Sequence, residues 1–138
     1  MITTWARAST VMLTLAFSSA FGFSAQAERW PGTKASIGGA IAARIIAVKC
    51  SRPALPSTLT QAEIAELDTY IDERQTAFMT GSKANQRFGE SVFPILARDY
   101  DRLYSTPDAC DAASRDMAKD MLTRVRSERR ERQAAVNQ

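Results

Sequence analysis

The side chains of this chain that could carry chemistry are two cysteines, a cluster of tyrosines and acids, and a group of arginines. The chain contains no histidine. Without histidine no Ser-His-Asp triad or Cys-His pair can form, and the commonest general base is missing. Zinc sites normally need histidine or several cysteines. The sequence therefore predicts no catalytic residue, no metal site and no cofactor.

Cys50 and Cys110 are predicted to form a disulfide. They are the only two cysteines, and an even number is typical of exported proteins in an oxidising compartment. Their spacing is far too wide for a CxxC redox motif, so a redox-active pair is the less favoured alternative. Closing a loop of about 60 residues stabilises a chain by roughly 4 kcal/mol in the chain-entropy model. That is a large contribution for a domain this small.

A polar cluster in the predicted third helix is the second candidate site. Its members are Arg98, Asp99, Tyr100, Asp101 and Tyr104. The tyrosine hydroxyls and the acids would make a ligand site if they converged. On a helix, however, Asp99 and Asp101 diverge, and tyrosines one turn apart are typical of half-buried core positions with a hydrated hydroxyl. The core role is therefore favoured for the tyrosines.

The C-terminal region is rich in arginine and is the best candidate for a partner surface. Its members are Arg124, Arg126, Arg129, Arg130 and Arg132. They could contact an acidic protein or anionic lipid headgroups, although a solvated helix end whose cations suit the C-terminal dipole is favoured. The net charge of the full chain is only +3, so nucleic acid is not an expected partner.

The N-terminal 27 residues resemble a secretory signal peptide. An apolar stretch begins at Val11, and Ala25-Gln26-Ala27 offers the small residues that signal peptidase reads. The stretch is shorter and more broken than the ~18–20 residues that span a bilayer, so a retained anchor is less favoured. We predict cleavage after Ala27, a flexible leader over 28–35, no transmembrane segment after cleavage, and a periplasmic or secreted protein.

The first predicted helix covers residues 36–49. Ile37, Ile41, Ile45 and Val48 recur at helical spacing and predict one buried face. The run Ile45–Val48 could equally form a short buried strand. Helix is favoured because no other segment offers a strand partner.

The second helix has the clearest start signal. Thr60 and Glu63 form a capping box, and Gly81 is placed to end the helix in a left-handed conformation. Its acids would absorb much of the charge asymmetry of the chain if it packed beside the basic first or last helix. The predicted buried residues are Ile64, Leu67, Ile71 and Phe78.

Two readings are open for the third helix. It begins near Ser91 with Pro94 in its first turn, or near Ser82 with a kink at Pro94. The last helix is predicted to start at the cap Thr106, with Pro107 at its first position and Cys110 in its first turn. The apolar face predicted for the longer third helix is Phe88, Val92, Leu96, Tyr100 and Leu103. The apolar face predicted for the last helix is Ala113, Met117, Met121 and Val125, with Leu122 beside it.

These elements predict an all-α protein, a small irregular bundle of about four helices stapled by Cys50–Cys110. The helical domain is predicted over 36–126, followed by a charged, partly frayed helical C-terminus over 127–138. The plan of signal peptide, short helical chain and wide disulfide is similar to HdeA-type periplasmic acid-stress chaperones. The stretch 64–71 also resembles the opening helix of helical chorismate mutases. Those enzymes need an arginine where this chain has Phe78.

The sequence thus favours a small exported, non-catalytic helical protein, such as a periplasmic binding, accessory or chaperone-like module. The alternative is a small helical-bundle enzyme that uses Arg, Glu and Tyr side chains without metal or histidine.

Overall fold

The protein folds as an all-α bundle, as predicted. A computed structural model of the chain describes residues 34–51 and 58–138. The predicted signal peptide, most of the leader, and the prolines at 53 and 56 lie outside these residues. The described residues contain no strand, and their helices are α1 (Ile37–Lys49), α2 (Gln61–Met79), α3 (Lys83–Tyr104) and α4 (Ala112–Val136).

Helix α1 is the central element, because it packs against each of the other three helices. The run Ile45–Val48 is helical, which settles the alternative of a short strand. Val48, which was predicted to be buried, is 48% exposed, whereas Ile46 is fully buried. A helix surrounded by three others buries most of its circumference, and one-face spacing then no longer identifies the buried residues. Those residues are Gly39, Ala40, Ile41, Ala42, Ala43, Ile45, Ile46 and Ala47.

The start of α2 is as the sequence predicts. The amide N–H of Glu63 donates to Thr60 Oγ1, and the amide N–H of Thr60 donates to Glu63 Oε1, both at 3.2 Å. The buried stripe differs from the prediction, because Ile71 and Phe78 are only half-buried and Tyr70 is buried instead. The stripe therefore runs through Ile64, Leu67 and Tyr70.

The end of α2 differs from the prediction. The helix stops at Met79, and the hydroxyl of Thr80 donates to the carbonyl of Thr76 at 2.8 Å. Gly81 does not adopt a left-handed φ. Ser82 already caps the next helix by accepting from the amide of Asn85. The connection is thus made by a threonine cap and an immediate restart of helix.

Helix α3 begins after Ser82, as in the longer of the two predicted helices, and runs through Pro94 without interruption. Proline has no N–H, so one intrahelical hydrogen bond is missing at this point. The ring of Phe78 on α2 contacts the rings of Phe88 and Phe93 edge-on, with centroids 5.9 and 5.8 Å apart. These contacts join the end of α2 to the first half of α3.

Gly89 sets how closely α2 and α3 approach. A Cβ at this position would lie 2.6 Å from Met79 Cγ and 3.0 Å from Phe93 Cε2. We expect Gly89→Ala to lower the free energy of unfolding by about 1–3 kcal/mol through overpacking, although alanine favours helix by about 1 kcal/mol. Ser91→Ala, at an exposed position of the same helix, is the control. Urea unfolding compares the two, and a stabilised Gly89→Ala protein would contradict the close contact.

Helix α4 begins later than the sequence predicts. Pro107–Ala109 forms a separate 3₁₀ turn, and Thr106 makes no side-chain cap there. Asp111 is the true N-cap, because its Oδ1 accepts from the amide of Ser114 at 2.7 Å. Cys110 therefore precedes α4 and does not lie in its first turn. Met121, Leu122 and Val125 are buried, as predicted. Nearer the start of the helix, Ser114 and Ala118 are buried in place of the predicted Ala113 and Met117.

The disulfide between Cys50 and Cys110 is present, with their Cα atoms 5.4 Å apart. Both residues are buried. Cys50 is the C-cap of α1, and Cys110 ends the 3₁₀ turn before α4. The bond thus fixes the end of the central helix to the connection between α3 and α4.

Candidate functional site

The polar cluster predicted on α3 does not form a convergent site. Tyr104 is buried, and the half-buried Tyr100 stacks on it with ring centroids 6.5 Å apart. Asp101 forms an ion pair with Lys49 of α1 at 3.2 Å. Arg98 and Asp99 are exposed. The tyrosines therefore belong to the packing of the bundle, Asp101 contacts α1, and the remaining two residues face solvent.

The acidic face of α2 is paired with cations of both α1 and α4. Asp68 forms an ion pair with Arg44. Glu66 accepts two hydrogen bonds of 2.8 Å from Arg126. This arrangement absorbs much of the charge asymmetry within the fold, as the sequence suggests. Among the described residues, no cluster of three or more acids, cysteines or histidines could hold a metal ion.

The arginines predicted as a partner surface are largely engaged. Arg124 pairs with Asp120 at 2.8 Å, and Arg129 with Glu73 at 3.4 Å. The guanidinium of Arg132 lies over the ring of Tyr70, 5.6 Å from its centroid. Arg130 is exposed and makes no ion pair with any residue that the structure describes. The arginine-rich end of α4 lines an open groove with Glu73, but most of its charge faces an internal partner.

Tyr70 organises the contact between α2 and α4, and sequence reasoning missed it. Its side chain is 1% exposed, and its hydroxyl donates to Glu128 Oε2 at 2.6 Å. Arg74 Nε lies 3.9 Å from the other oxygen of Glu128. Burial, followed by the hydrogen bond and charge of Glu128, raises the pKa of the phenol. Tyr70 is thus a neutral hydrogen-bond donor at ordinary pH.

The pair between Glu66 and Arg126 gives a prediction on acid stability. The hydrogen bond from Arg126 is the main reason that the pKa of Glu66 lies below its ordinary value of 4.5. A carboxyl group whose pKa is lowered on folding stabilises the protein at pH values above its unfolded-state pKa. This stabilisation is lost as the pH falls through the folded-state pKa. We expect Glu66→Gln to reduce the drop in melting temperature between pH 7 and pH 3, by a modest amount because the pair is partly exposed.

A matched control for Glu66→Gln is Glu90→Gln. Glu90 lies on α3 and makes no ion pair with any described residue. Melting curves at both pH values should show an unchanged acid sensitivity for the control. If both variants behave like the parent protein, the pair contributes nothing to acid lability.

Helix α3 carries an exposed apolar strip, which we define as Phe88, Val92, Ile95 and Leu103. Phe88 is 55% exposed, Ile95 48% and Leu103 44%, and Val92 is half-buried. At 3.6 residues per turn these four residues occupy an arc of about 80° on the helix. Three of them, Phe88, Val92 and Leu103, belong to the apolar face that the sequence predicts for the longer third helix. That face is wider than the area that α1 and α2 cover, so its outer part remains exposed.

Three arginines border this strip and form what we call the basic edge: Arg87, Arg98 and Arg102. Their positions fall in the arc of about 60° next to the strip. All three are exposed, and none forms an ion pair with a described residue. The apolar strip and the basic edge thus place exposed apolar residues beside unpaired arginines on the same helix, α3.

Comparison with known proteins identifies no relative. No protein-family model matches the chain, and neither the curated proteins nor the solved structures contain a significant match. Among the described residues, no helix combines the length and the apolar character that crossing a membrane requires.

Proposed function

We propose that this protein is an exported, non-catalytic helical module that binds another protein through the apolar strip on α3. The observation that carries the proposal is the exposure of Phe88, Ile95 and Leu103 on a helix whose other side is packed in the bundle. Single exposed apolar residues are common on protein surfaces, but Phe88, Val92 and Ile95 follow one another at helical spacing, and such a cluster is typical of an interaction site. A binding, accessory or chaperone-like role fits such a surface.

Export is part of the proposal. The buried disulfide agrees with folding in an oxidising compartment, and residues 1–27 have the pattern of a signal peptide cleaved after Ala27. We expect the protein recovered from the periplasm or the medium to begin at Glu28. Intact-mass measurement of the recovered protein tests this, and a mass that includes residues 1–27 would contradict cleavage.

The apolar strip is a better partner surface than the arginine-rich end of α4. Arg124, Arg126 and Arg129 already have carboxylate partners within the fold. An acidic group of a binding partner would have to displace these carboxylates. An exposed apolar residue gains free energy when it is covered, at about 25 cal/mol per Å² of apolar surface. A protein partner that covers the strip is therefore preferred to an anionic surface bound by α4.

The alternative of a small helical-bundle enzyme has less support from the described residues. Tyr70, Glu128 and Arg74 converge, but their hydrogen bond and ion pair join α2 to α4 inside the bundle. The raised pKa of Tyr70 keeps the phenol protonated. Two arginines of the open groove, Arg126 and Arg129, face Glu66 and Glu73. This arrangement stabilises the fold and leaves few groups for a substrate.

Capture of partners from periplasmic extract, with and without reductant, tests the proposal. The protein is immobilised beside two variants, Ile95→Asp in the apolar strip and Val136→Asp near the end of α4. Val136 is 85% exposed, so the control adds the same charge at an apolar surface position away from α3. We expect Val136→Asp to retain the same partner as the parent protein and Ile95→Asp to lose it. Equal capture by all three proteins, or capture by none, would refute the proposal.

A further inference from the structure

The dimensions of the apolar strip suit one helix of a partner. From Phe88 to Leu103 the helix rises about 22 Å at 1.5 Å per residue, which is about four turns. Its apolar residues follow helical spacing. An amphipathic helix that packs along such a row buries its own apolar face with anchors at i, i+3, i+4 and i+7. The strip is therefore long enough for a partner helix of four turns.

The charge beside the strip indicates which charged residues the partner helix carries. Elsewhere in the described bundle most arginines near α2 have acidic partners within the fold, as with Arg44 and Arg126. On α3, Arg87, Arg98 and Arg102 have none among the described residues, and they share one edge of the strip. Opposite charges across an interface fix the register and exclude wrong partners. A row of unpaired arginines selects carboxylates, to which guanidinium groups donate paired hydrogen bonds.

Resting on the proposed function, we infer that the apolar strip binds an amphipathic helix of a partner protein whose apolar face is bordered on one side by Asp or Glu. Asp99 adds a further feature. By helical geometry it lies between Phe88 and Val92 in angle, within the strip, and it is exposed. A partner helix that covers Asp99 needs one Lys or Arg within its otherwise apolar face, because a buried carboxylate requires a partner.

Two other occupants fit the charges less well. An anionic membrane surface would attract the basic edge, but it would also have to accept the carboxylate of Asp99 among its negative headgroups. A second copy of this chain would pair the two strips about a two-fold axis. An antiparallel pair of α3 helices would place the two basic edges against each other, where like charges repel.

Two designed peptides test the inference. Both have four helical turns, the same Leu and Ile face and one central Lys. One has Glu along a single edge, and the other has Lys there. Fluorescence anisotropy measures the Kd of each peptide for the full protein recovered from the periplasm. We expect the Glu-edged peptide to bind at least about tenfold more tightly and to lose this advantage as salt is raised.

Variants of the basic edge make the test specific. Arg98→Glu/Arg102→Glu should reverse the preference between the two peptides, and Arg98→Gln/Arg102→Gln should abolish it. Arg130→Glu, at an exposed arginine of α4, should leave it unchanged. Circular dichroism checks that each variant retains its helix content. If the charge reversal disturbs the fold, Arg98→Gln/Arg102→Gln still tests whether these two arginines cause the preference for the Glu-edged peptide.

The outcomes separate this inference from the proposed function. Equal binding of both peptides, or binding of neither, overturns the acid-bordered helix. Binding to phosphatidylglycerol vesicles that depends on Arg98 and Arg102, or a dimer in sedimentation equilibrium that Ile95→Asp abolishes, also overturns it in favour of another occupant. In each of these cases the capture experiment with Ile95→Asp decides independently whether the strip binds a protein.

Discussion

Replacing both cysteines with serine is expected to lower the melting temperature by roughly 15–30 °C. The disulfide closes a loop with a sequence separation of 60, which contributes about 4 kcal/mol by restricting the unfolded chain. For a domain of about 100 residues, each kcal/mol shifts the melting temperature by about 4–8 °C. The helices themselves are held by packing around α1, so circular dichroism at low temperature should show nearly the helix content of the parent protein.

The thiols give an independent measurement of the same bond. Cys50 is fully buried and Cys110 is 7% exposed, so reagents should reach them only after the protein unfolds. Intact mass should be two hydrogens below that of the reduced chain. The parent protein, reduced in denaturant and refolded in the presence of a reductant, serves as the control and should melt like the double-serine variant. Two thiols that alkylate without denaturant, or a variant that melts within a few degrees of the parent protein, would contradict the prediction.

Local signals in the sequence predicted the parts of the fold that local chemistry determines. The capping box of Thr60 and Glu63 needs only residues three apart. For the disulfide, each of the two cysteines in the chain has only the other as a possible partner. The all-α class follows from helical spacing without strand partners. Such features can be read from a sequence because the groups that form them are close along the chain or have only one possible partner.

The predictions are wrong where contacts with an element distant in the sequence determine which residues are buried or where a helix begins. Val48 has the spacing of a buried residue, but the other three helices around α1 leave it on the open side. Phe88 and Leu103 belong to a long apolar face of which α1 and α2 cover only part. Pro94 is compatible with two helix starts, and α3 begins before it, at Lys83. The contacts of Phe78 with Phe88 and Phe93 hold this first part of α3 against α2. None of these partners can be identified from periodicity within one helix.

The choice of a partner surface depends on distant elements in the same way. A cluster of arginines in sequence indicates a charged surface, but whether the charge is available depends on what packs beside it. Glu66 and Glu73 of α2 lie against Arg126 and Arg129 and neutralise much of that region. The arginines of α3 are more dispersed along the sequence, yet the fold leaves them without acidic partners. Availability of charge is a tertiary property, and for this reason we propose the apolar strip on α3, and not the end of α4, as the partner surface.

The second large effect is expected at Tyr70. Tyr70→Ala should lower the free energy of unfolding by about 3–5 kcal/mol, as for other large buried side chains truncated to alanine. Tyr70→Phe keeps the ring and removes only the hydrogen bond to Glu128, which should cost about 1.5–3 kcal/mol because the acceptor is charged. Tyr100→Phe is the control at a half-buried tyrosine and should change the free energy of unfolding by less than about 0.5 kcal/mol. Urea unfolding measures all three variants.

The raised pKa of Tyr70 predicts how this contribution depends on pH. A group whose pKa is raised on folding stabilises the protein fully below its unfolded-state value, here 10.0, and the stabilisation is lost as pH rises above that value. In an alkaline titration followed at 295 nm, Tyr70 should ionise only when the helix signal is lost. In Tyr70→Phe the delayed step should be absent. If all three tyrosines ionised while the helices remained intact, the phenol of Tyr70 would not be the buried donor that joins α2 to α4.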